Sequence, residues 1–436
     1  MQSRFNYIVQ EIWNFRNNDF VKNITIVSSG VIIAQFVSVL SSPIISRIFT
    51  PSNFGTLAMI MAIINVISSI SSLAYENAIM LPKKNKDAFN LAALSFLIHT
   101  FFTCLIAILT FVFYDQLVKI IFSEDFKYVA WVIPPLFFLK GLYNILNIWA
   151  IRVKKFKEIS ITSIIRSLST VSLKILFGFL IGAYVFGLIG TMFIGFLISV
   201  TYIFLKIYNI EFKENLNSIR PASLSLIAKQ YKIFPIYSSW TQLINSLSAT
   251  IIIFFLNFLF TPAVVGLYQF GASILQQPIT LISNSVGKVF YQKAARQYSN
   301  NQNIYNGLKK STFGLFLIGI VPFSIIAIFG SELFSFIFGE QWTESGKYLQ
   351  ILSPWFLFLF INRPSMAVFR IYKKNARLLT YVVILIIFRA LGIYFGYIFY
   401  GEPKASLILF SIVGVIFNIY LILQAFYWAK RQQQYT

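Results

Sequence analysis

Residues 184–205 read YVFGLIGTMFIGFLISVTYIFL, without one charged side chain, and Lys206 opens the connection that follows. A run of this length is what ~30 Å of hydrocarbon requires of a helix. Helix is the natural form, because lipid leaves no partner for an open strand edge. Similar apolar runs lie near 24–46, 54–80, 89–113, 129–151, 159–182, 233–259, 264–287, 311–331, 348–369, 378–400 and 405–428. The sequence therefore predicts an all-α integral membrane protein with twelve transmembrane helices.

The basic residues fall on alternate sides of this ladder. The connections on the side of both termini (1–23, 81–88, 152–158, 206–232, 288–310, 370–377 and 429–436) hold 26 of the 36 Lys and Arg residues. The opposite connections hold only Arg47, Lys119, Lys127, Lys347 and Lys404. The positive-inside rule puts both termini in the cytoplasm. The same count organises the chain. An amphipathic segment at 1–23 precedes a six-helix bundle at 24–205; a cytoplasmic linker at 206–232 leads to a second bundle at 233–428 and a tail at 429–436. Within 1–22, Phe5, Ile8, Val9, Ile12, Trp13 and Phe20 are spaced for a short helix lying on the cytoplasmic membrane face.

Composition excludes several classes. The chain is 57% hydrophobic, with 48 Phe and 11% charged residues, outside the range of a soluble domain of this length. The net charge of +22 is spread over the loops, where it sets topology and meets anionic lipid. It forms no aromatic-interleaved domain that would bind nucleic acid. Cys104 is the sole cysteine, which removes disulfides within the chain and argues against a metal cluster. No cleavable signal peptide is evident, and no connection is long enough for a catalytic domain.

The two halves echo each other. Phe49-Thr50-Pro51 followed by Gly55 returns as Phe260-Thr261-Pro262 followed by Gly266, 211 residues later. Ile121-Phe122-Ser123-Glu124 returns as Ile337-Phe338-Gly339-Glu340. Arg152-Val153-Lys154-Lys155 resembles Arg370-Ile371-Tyr372-Lys373-Lys374, and Ile165-Arg166-Ser167-Leu168 resembles Phe388-Arg389-Ala390-Leu391. Six spans per half is an even number, so the repeats are parallel. Such duplicated bundles are a transporter design, with substrate between them and rocking as the motion.

Polar side chains concentrate on the first two spans of each repeat. Gln35, Asn65, Gln242, Asn245 and Gln276 lie there, together with many serines. Polar groups facing lipid are costly, so these spans should face water or one another. The serines also suit close helix packing. Trp240, Tyr237 and Tyr268 could stack on sugar rings, or serve packing and the interfacial belt. Six charges fall within the spans: Glu76, Lys140, Arg166, Lys174, Arg363 and Arg389. Each costs roughly 2.5–3.5 kcal/mol at a helix centre. Five are basic, so a cavity lined by them would suit an anion, and guanidinium matches phosphate oxygens. Lys174 and Arg166 could instead snorkel to an interface. Arg363 precedes Pro364, where a kink is expected. Arg47 could guard the outer mouth. Glu76 has a coupling or gating role, or else pairs with a cytoplasmic base. His99 reads as a packed polar residue, with a proton-relay role as the alternative.

Two motifs resemble a known family. Tyr75-Glu76-Asn77-Ala78-Ile79-Met80-Leu81-Pro82-Lys83, followed by Asp87-Ala88-Phe89-Asn90-Leu91, is similar to the segment joining helices two and three of Wzx-type oligosaccharide flippases. Arg47-Ile48-Phe49-Thr50-Pro51-Ser52-Asn53-Phe54-Gly55 resembles their first outer loop. These flippases form the polysaccharide branch of the multidrug/oligosaccharidyl-lipid/polysaccharide (MOP) flippase superfamily. The resemblance covers essentially the whole chain in span count and orientation. It implies two six-helix bundles in a V around a central cationic cavity, in a bacterial inner membrane. The cargo it implies is an undecaprenyl-diphosphate-linked oligosaccharide, moved to the outer leaflet for O-antigen, capsule or exopolysaccharide assembly. Partners would be membrane lipids, the lipid-linked oligosaccharide, and the polysaccharide polymerase with its chain-length machinery.

No GxxxxGK[ST] motif occurs, so ATP is not the direct energy source, and no cofactor is expected. A drug/cation antiporter of the same superfamily is the nearest alternative; it would be expected to use buried carboxylates, and only Glu76 is present. A membrane-embedded polymerase or transferase is a different class, and neither a DxD triplet nor a large outer loop exists. A passive scramblase or channel is not separated from a coupled transporter by the sequence.

Overall fold

The computed structural model describes residues 19–121, 129–180, 182, 184–208, 210–216 and 219–432. The long helices are α1 Asp19–Ile48, α2 Pro51–Ser68, α3 Asn85–Val112, α4 Ile133–Arg152, α5 Phe156–Leu180, α6 Val185–Ile207, α7 Ser239–Leu259 and α8 Pro262–Pro278. They continue with α9 Asn284–Ser299, α10 Tyr305–Phe338, α11 Thr343–Ile361, α12 Arg363–Ile371, α13 Asn375–Tyr400 and α14 Pro403–Gln432. Short helices lie at Tyr114–Ile121, Ile210–Leu216 and Pro221–Gln230. Among the described residues every regular element is helical. The surface helix expected over 1–22 lies outside the described residues except for its last four positions, and so does most of the first copy of the Ile121–Glu124 repeat.

Among the described residues ten helical stretches are long and apolar enough to cross a membrane, and Glu340–Ile361 with Arg363–Ile371, bent by 40°, makes an eleventh. The break falls at Asn362, immediately before Arg363-Pro364, where the proline ring removes a donor from the helix ladder. The stretch expected as span eight, 264–287, is interrupted: α8 passes through a π turn at Ile279–Ser283 into α9. The π turn begins directly after Pro278, which has no N–H to give.

Span two also departs from its expected 54–80. The helix stops at Ser68, and the chain turns through 69–74 into a 3₁₀ turn at Tyr75–Ala78. The cause lies in Ser68-Ser69-Ile70-Ser71-Ser72. Serine hydroxyls compete for backbone groups, and Ser71 Oγ donates to the Ser68 carbonyl at 3.1 Å. Leu73 and Ala74 then take left-handed φ of 52° and 59°, which no continuing helix accommodates.

Contacts group the described residues into two compact units. One is drawn from Met1–Ser42, Ile67–Val118 and Glu124–Gln242, the other from Pro43–Val66, Lys119–Ser123 and Leu243–Thr436. Each packs through small residues, as membrane helices must without a hydrophobic force between them. In the first, Gly30 on α1 meets Ser160 on α5, and Gly195 on α6 meets Thr170 on α5. In the second, Gly330 on α10 and Gly346 on α11 each lie against the other's backbone.

The internal repeat is exact in the backbone at two places. The first is the connection α1–α2, whose counterpart is α7–α8. Helices end at Ile48 and Leu259 and restart at Pro51 and Pro262, in each case 211 residues apart. Proline suits the first helical position, whose N–H would go unused. Asn53 N–H donates to Thr50 Oγ1 at 3.4 Å, and its counterpart Val264 N–H donates to Thr261 Oγ1 at 3.5 Å. Within the second unit these two copies meet reciprocally. Gly55 abuts the Pro262 carbonyl and Gly266 abuts the Pro51 carbonyl, with no space for a Cβ at either. Beside them Ser46 Oγ donates to the Phe338 carbonyl at 3.0 Å. The Ser46 carbonyl accepts from Gln341 Nε2 at 2.6 Å and from Trp342 Nε1 at 2.8 Å.

The second place is the turn after spans four and ten. Val153, Lys154 and Lys155 N–H donate to Trp149, Ile151 and Ala150 at 3.0, 3.1 and 2.8 Å. Tyr372, Lys373 and Lys374 do the same to Val368, Arg370 and Phe369 at 3.0, 3.1 and 2.8 Å. The central residue is a left-handed lysine in both, with φ of 58° at Lys154 and 54° at Lys373.

A side chain at the glycine seam must push two backbones apart. Gly266→Leu is expected to cost ~1–3 kcal/mol, the range for overpacking a filled contact. Thermal denaturation of the purified chain in detergent checks this, with Gly314→Leu, at a position facing open space, as the neutral control.

Candidate functional site

The candidate site residues divide between the units. Gln35, Glu76, Lys140, Arg166, Trp240 and Gln242 belong to the first; Arg47, Asn65, Asn245, Tyr268, Gln276, Arg363 and Arg389 belong to the second. Their environments are of three kinds: an arginine stacked between rings, a held turn, and exposed or unpartnered amides.

The stacked arginines are repeat counterparts. Arg166, on α5, lies with its guanidinium carbon 4.7 Å from the Tyr143 ring of α4 and 5.2 Å from the Phe196 ring of α6. Arg389, on α13, lies 4.6 Å from the Trp355 ring of α11 and 4.5 Å from the Phe410 ring of α14. In each half the fifth-span arginine is thus held between rings of the fourth and sixth spans. A ring face carries negative potential, and such a contact is worth ~2 kcal/mol or more once water is gone. No carboxylate pairs with Arg166, Arg363 or Arg389 among the described residues. Arg389 is only 7% exposed, its Nε and the Trp355 Nε1 have no hydrogen-bond partner, and Gly414 leaves room for its guanidinium. Stacking occupies the faces of a guanidinium and leaves its in-plane N–H fork available, which is the part that grips phosphate.

Neighbours extend both groups. Lys140 on α4 lies within electrostatic range of Arg166, giving the first unit two adjoining cations. Buried Tyr268 and half-buried Tyr381 lie within range of Arg389. Arg363 opens α12 at the span break, packs its Cβ against Gly287 and sends Nη1 to Met366 Sδ at 3.6 Å. Its Nε has no partner. Asn362, beside it, donates to Asn418, whose own amide donates to the Gly414 carbonyl at 2.6 Å.

The held turn is the Tyr75–Lys83 motif. Glu76 is half-buried and accepts a hydrogen bond from Ser72 Oγ; no ion pair to it occurs among the described residues. Tyr75 Oη donates to the Ala228 carbonyl at 3.0 Å, which ties the turn to the helix Pro221–Gln230. Arg152 grips the far side of the motif. Its Nη1 donates to the Ile79 carbonyl at 2.9 Å, its Nη2 to Pro82 at 2.8 Å and its Nε to Asn85 Oδ1 at 3.3 Å. Sequence reasoning counted Arg152 among topology-setting charges and missed this clamp. The one available signal was the run of carbonyls left by a helix that ends in Ser-rich sequence and resumes only at Asn85.

The amides are less gathered. Gln35 Oε1, Gln242 Nε2 and Gln277 Oε1 are buried without a partner. Asn65, Asn245, Gln276 and Trp240 are exposed, Trp240 by 62%. Arg47 is exposed, with its side chain near Gly339. His99 is buried against Gly141, with Nε2 3.2 Å from the Phe138 carbonyl.

Comparison with known proteins identifies the family and the fold. The chain belongs to the polysaccharide biosynthesis protein family, whose model matches residues 44–347. Its fold is that of the MOP superfamily. It is similar to a multidrug resistance MATE family transporter in an inward-facing conformation (14% identity, 92% of this chain and 96% of that one, TM-score 0.75). It is also similar to the lipid II flippase MurJ in an inward closed conformation (15% identity, 90% and 87%, TM-score 0.70). A third neighbour is a MOP transporter from Pyrococcus furiosus, described as having a binding pocket of reversed polarity (16% identity, 94% and 96%, TM-score 0.59). No curated protein sequence matches the chain.

Removing the clamp should free its carbonyls. Hydrogen bonds from a charged donor contribute ~1.5–3 kcal/mol, so Arg152→Ala is expected to speed amide exchange over residues 79–85 roughly tenfold or more. Hydrogen-exchange mass spectrometry checks this. Arg152→Lys should restore little, because one ammonium cannot reach three acceptors in a fork.

Proposed function

We propose that this chain is a Wzx-type flippase. It moves undecaprenyl-diphosphate-linked oligosaccharide repeat units from the cytoplasmic to the outer leaflet of a bacterial inner membrane, for O-antigen, capsule or exopolysaccharide assembly. The observation that carries this reading is the pair of ring-stacked arginines without a counter-carboxylate among the described residues, one in each repeat of a polysaccharide biosynthesis protein. Such cations are costly in hydrocarbon, and an anionic cargo supplies the charge that offsets them.

In the second unit the in-plane donors of Arg389 pair with the diphosphate, and Arg363 adds a further cation to that unit; in the first, Arg166 with Lys140 near it offers the same chemistry. The lipid tail stays in the bilayer, and the exposed amides Asn65, Asn245 and Gln276 of the second unit meet the sugars. For outward release the seam at Gly55 and Gly266 parts, and the Ser46 hydrogen bonds to Gln341 and Trp342 break with it. An interior-negative potential favours outward movement of anions by ~2.3 kcal/mol per charge per 100 mV. For a diphosphate of about two charges this bias is several kcal/mol, enough to drive the cycle without a proton. Glu76 then serves the turn that Ser72 and Arg152 hold rather than a relay.

A multidrug transporter shares the fold, so fold alone does not separate the two cargoes; the embedded cations favour the anionic one. Cells depleted of the chain are expected to hold the lipid-linked oligosaccharide on the cytoplasmic face and to lose surface polysaccharide. Arg389→Ala should restore delivery at least ~100-fold less well than wild type, the scale of ~2.7 kcal/mol, and Arg389→Lys only partly better. Leaflet accessibility of the glycan is the measurement. Normal delivery without the chain, in cells with no second flippase, would discard the proposal and bring the drug transporter forward. In liposomes at clamped potential, transport should rise as the cytoplasmic side is made more negative, and a flat response would sink the proposed driving force.

A further inference from the structure

A groove of about 550 Å³ lies between α13 and α14, outside every residue assigned to the cargo. Its size is that of an ordinary small-ligand pocket, but its lining is that of a lipid site. Ile384, Ile416, Phe417 and Tyr420 form the apolar floor, with Ile416 57% and Tyr420 54% exposed. Thr380, Gln424 and Arg377 stand at the other end. The Arg377 guanidinium lies 5.6 Å from the Trp428 ring, and Tyr381 packs on Phe417 at 5.7 Å.

Length and charge identify the occupant. Ile416 and Trp428 are twelve residues apart on one helix, so the groove runs about 18 Å along it. That is slightly more than half the ~30 Å hydrocarbon thickness, the depth of a single leaflet. The polar end is the end that carries the basic connections. Arg370, Lys373, Lys374, Arg377, Lys430 and Arg431 all lie there, while the only acidic residue after Glu344 is Glu402, at the opposite ends of α13 and α14. Nothing in the sequence around this mouth neutralises six positive charges. A sugar would find polar partners toward the Arg377 end but only hydrocarbon along Ile384, Ile416 and Phe417, and a neutral lipid would leave the cations unmet.

We infer that this groove binds an anionic phospholipid of the leaflet on the basic side. One acyl chain lies along Ile384, Ile416 and Phe417, and the phosphate meets Arg377, Thr380 and Gln424. The assignment does not depend on what the protein transports.

The test is native mass spectrometry of the full-length chain in detergent, titrated with phosphatidylglycerol or phosphatidylethanolamine. Phosphatidylglycerol should be retained in clear preference, and Arg377→Ala should cut that preference about five-fold, the effect of one basic residue at a membrane surface. Arg377→Lys should keep most of it, which separates loss of charge from loss of fold. Ile416→Trp should fill the groove and lower retention of both lipids, while Lys232→Ala, a basic residue of the other unit, should change neither. Equal retention of the two lipids by the wild type would overturn the inference. So would a Lys232→Ala effect as large as that of Arg377→Ala, or indifference to both groove variants. Displacement of phosphatidylglycerol by one equivalent of undecaprenyl phosphate would also overturn it, and give the groove to the isoprenoid carrier.

Discussion

A guanidinium placed among hydrocarbon must be solvated by something, and in this protein aromatic rings do it. The fifth span of each repeat carries one arginine, and the fourth and sixth spans bring a ring to each side of it. This requirement constrains much of the bundle around it. It fixes the rotation of three helices about one point, since a stack tolerates little change in distance or tilt. It accounts for the buried Tyr143 and Phe196 in one unit and Trp355 and Phe410 in the other. It also leaves a cation with its edge uncommitted where a carboxylate partner would have cancelled it. A salt bridge would stabilise the fold comparably, but would remove the charge that an anion could use.

The connections that carry few basic residues show the contrast. There Glu344 takes both Lys347, at 2.7 Å, and Lys404, at 3.1 Å, so two of the few basic residues on that side share one carboxylate in pairs typical of exposed surfaces, worth ~0–1 kcal/mol. The embedded arginines have no such arrangement. The difference between the two settings, rather than total charge, makes an anionic cargo the better reading.

Much of the fold was legible in the sequence because hydrocarbon imposes so simple a rule on length and polarity. Helix type and most span positions followed from it, the paired Phe-Thr-Pro motifs were visible as a repeat, and the Arg363-Pro364 break was visible as a proline effect. What was not legible came from local chemistry that hydropathy averages away. Ser68–Ser72 reads as part of an apolar span, yet its hydroxyls and the left-handed residues after it end the helix. The π turn after Pro278 likewise leaves hydropathy unchanged. For the site, the arginines could be named but not their ring partners, because Tyr143 and Phe410 are two among the 23 Tyr and 48 Phe of the chain. Arg152 was read as a topology signal alone, since the only sign of the stranded carbonyls it grips was the Ser-rich end of the preceding helix.

The left-handed lysines at 154 and 373 have a meaning for how the chain enters the membrane. Glycine takes that backbone conformation freely, whereas a side chain pays ~1–2 kcal/mol. Lysine at both turns means that a helix stop and a topology charge have been combined in one residue, at some loss to the folded state. Insertion precedes folding, and a charge that holds a newly made hairpin on the correct side acts before any packing can. These two turns therefore join, at the same place in each repeat, a strained helix stop with a charge of the kind that sets topology.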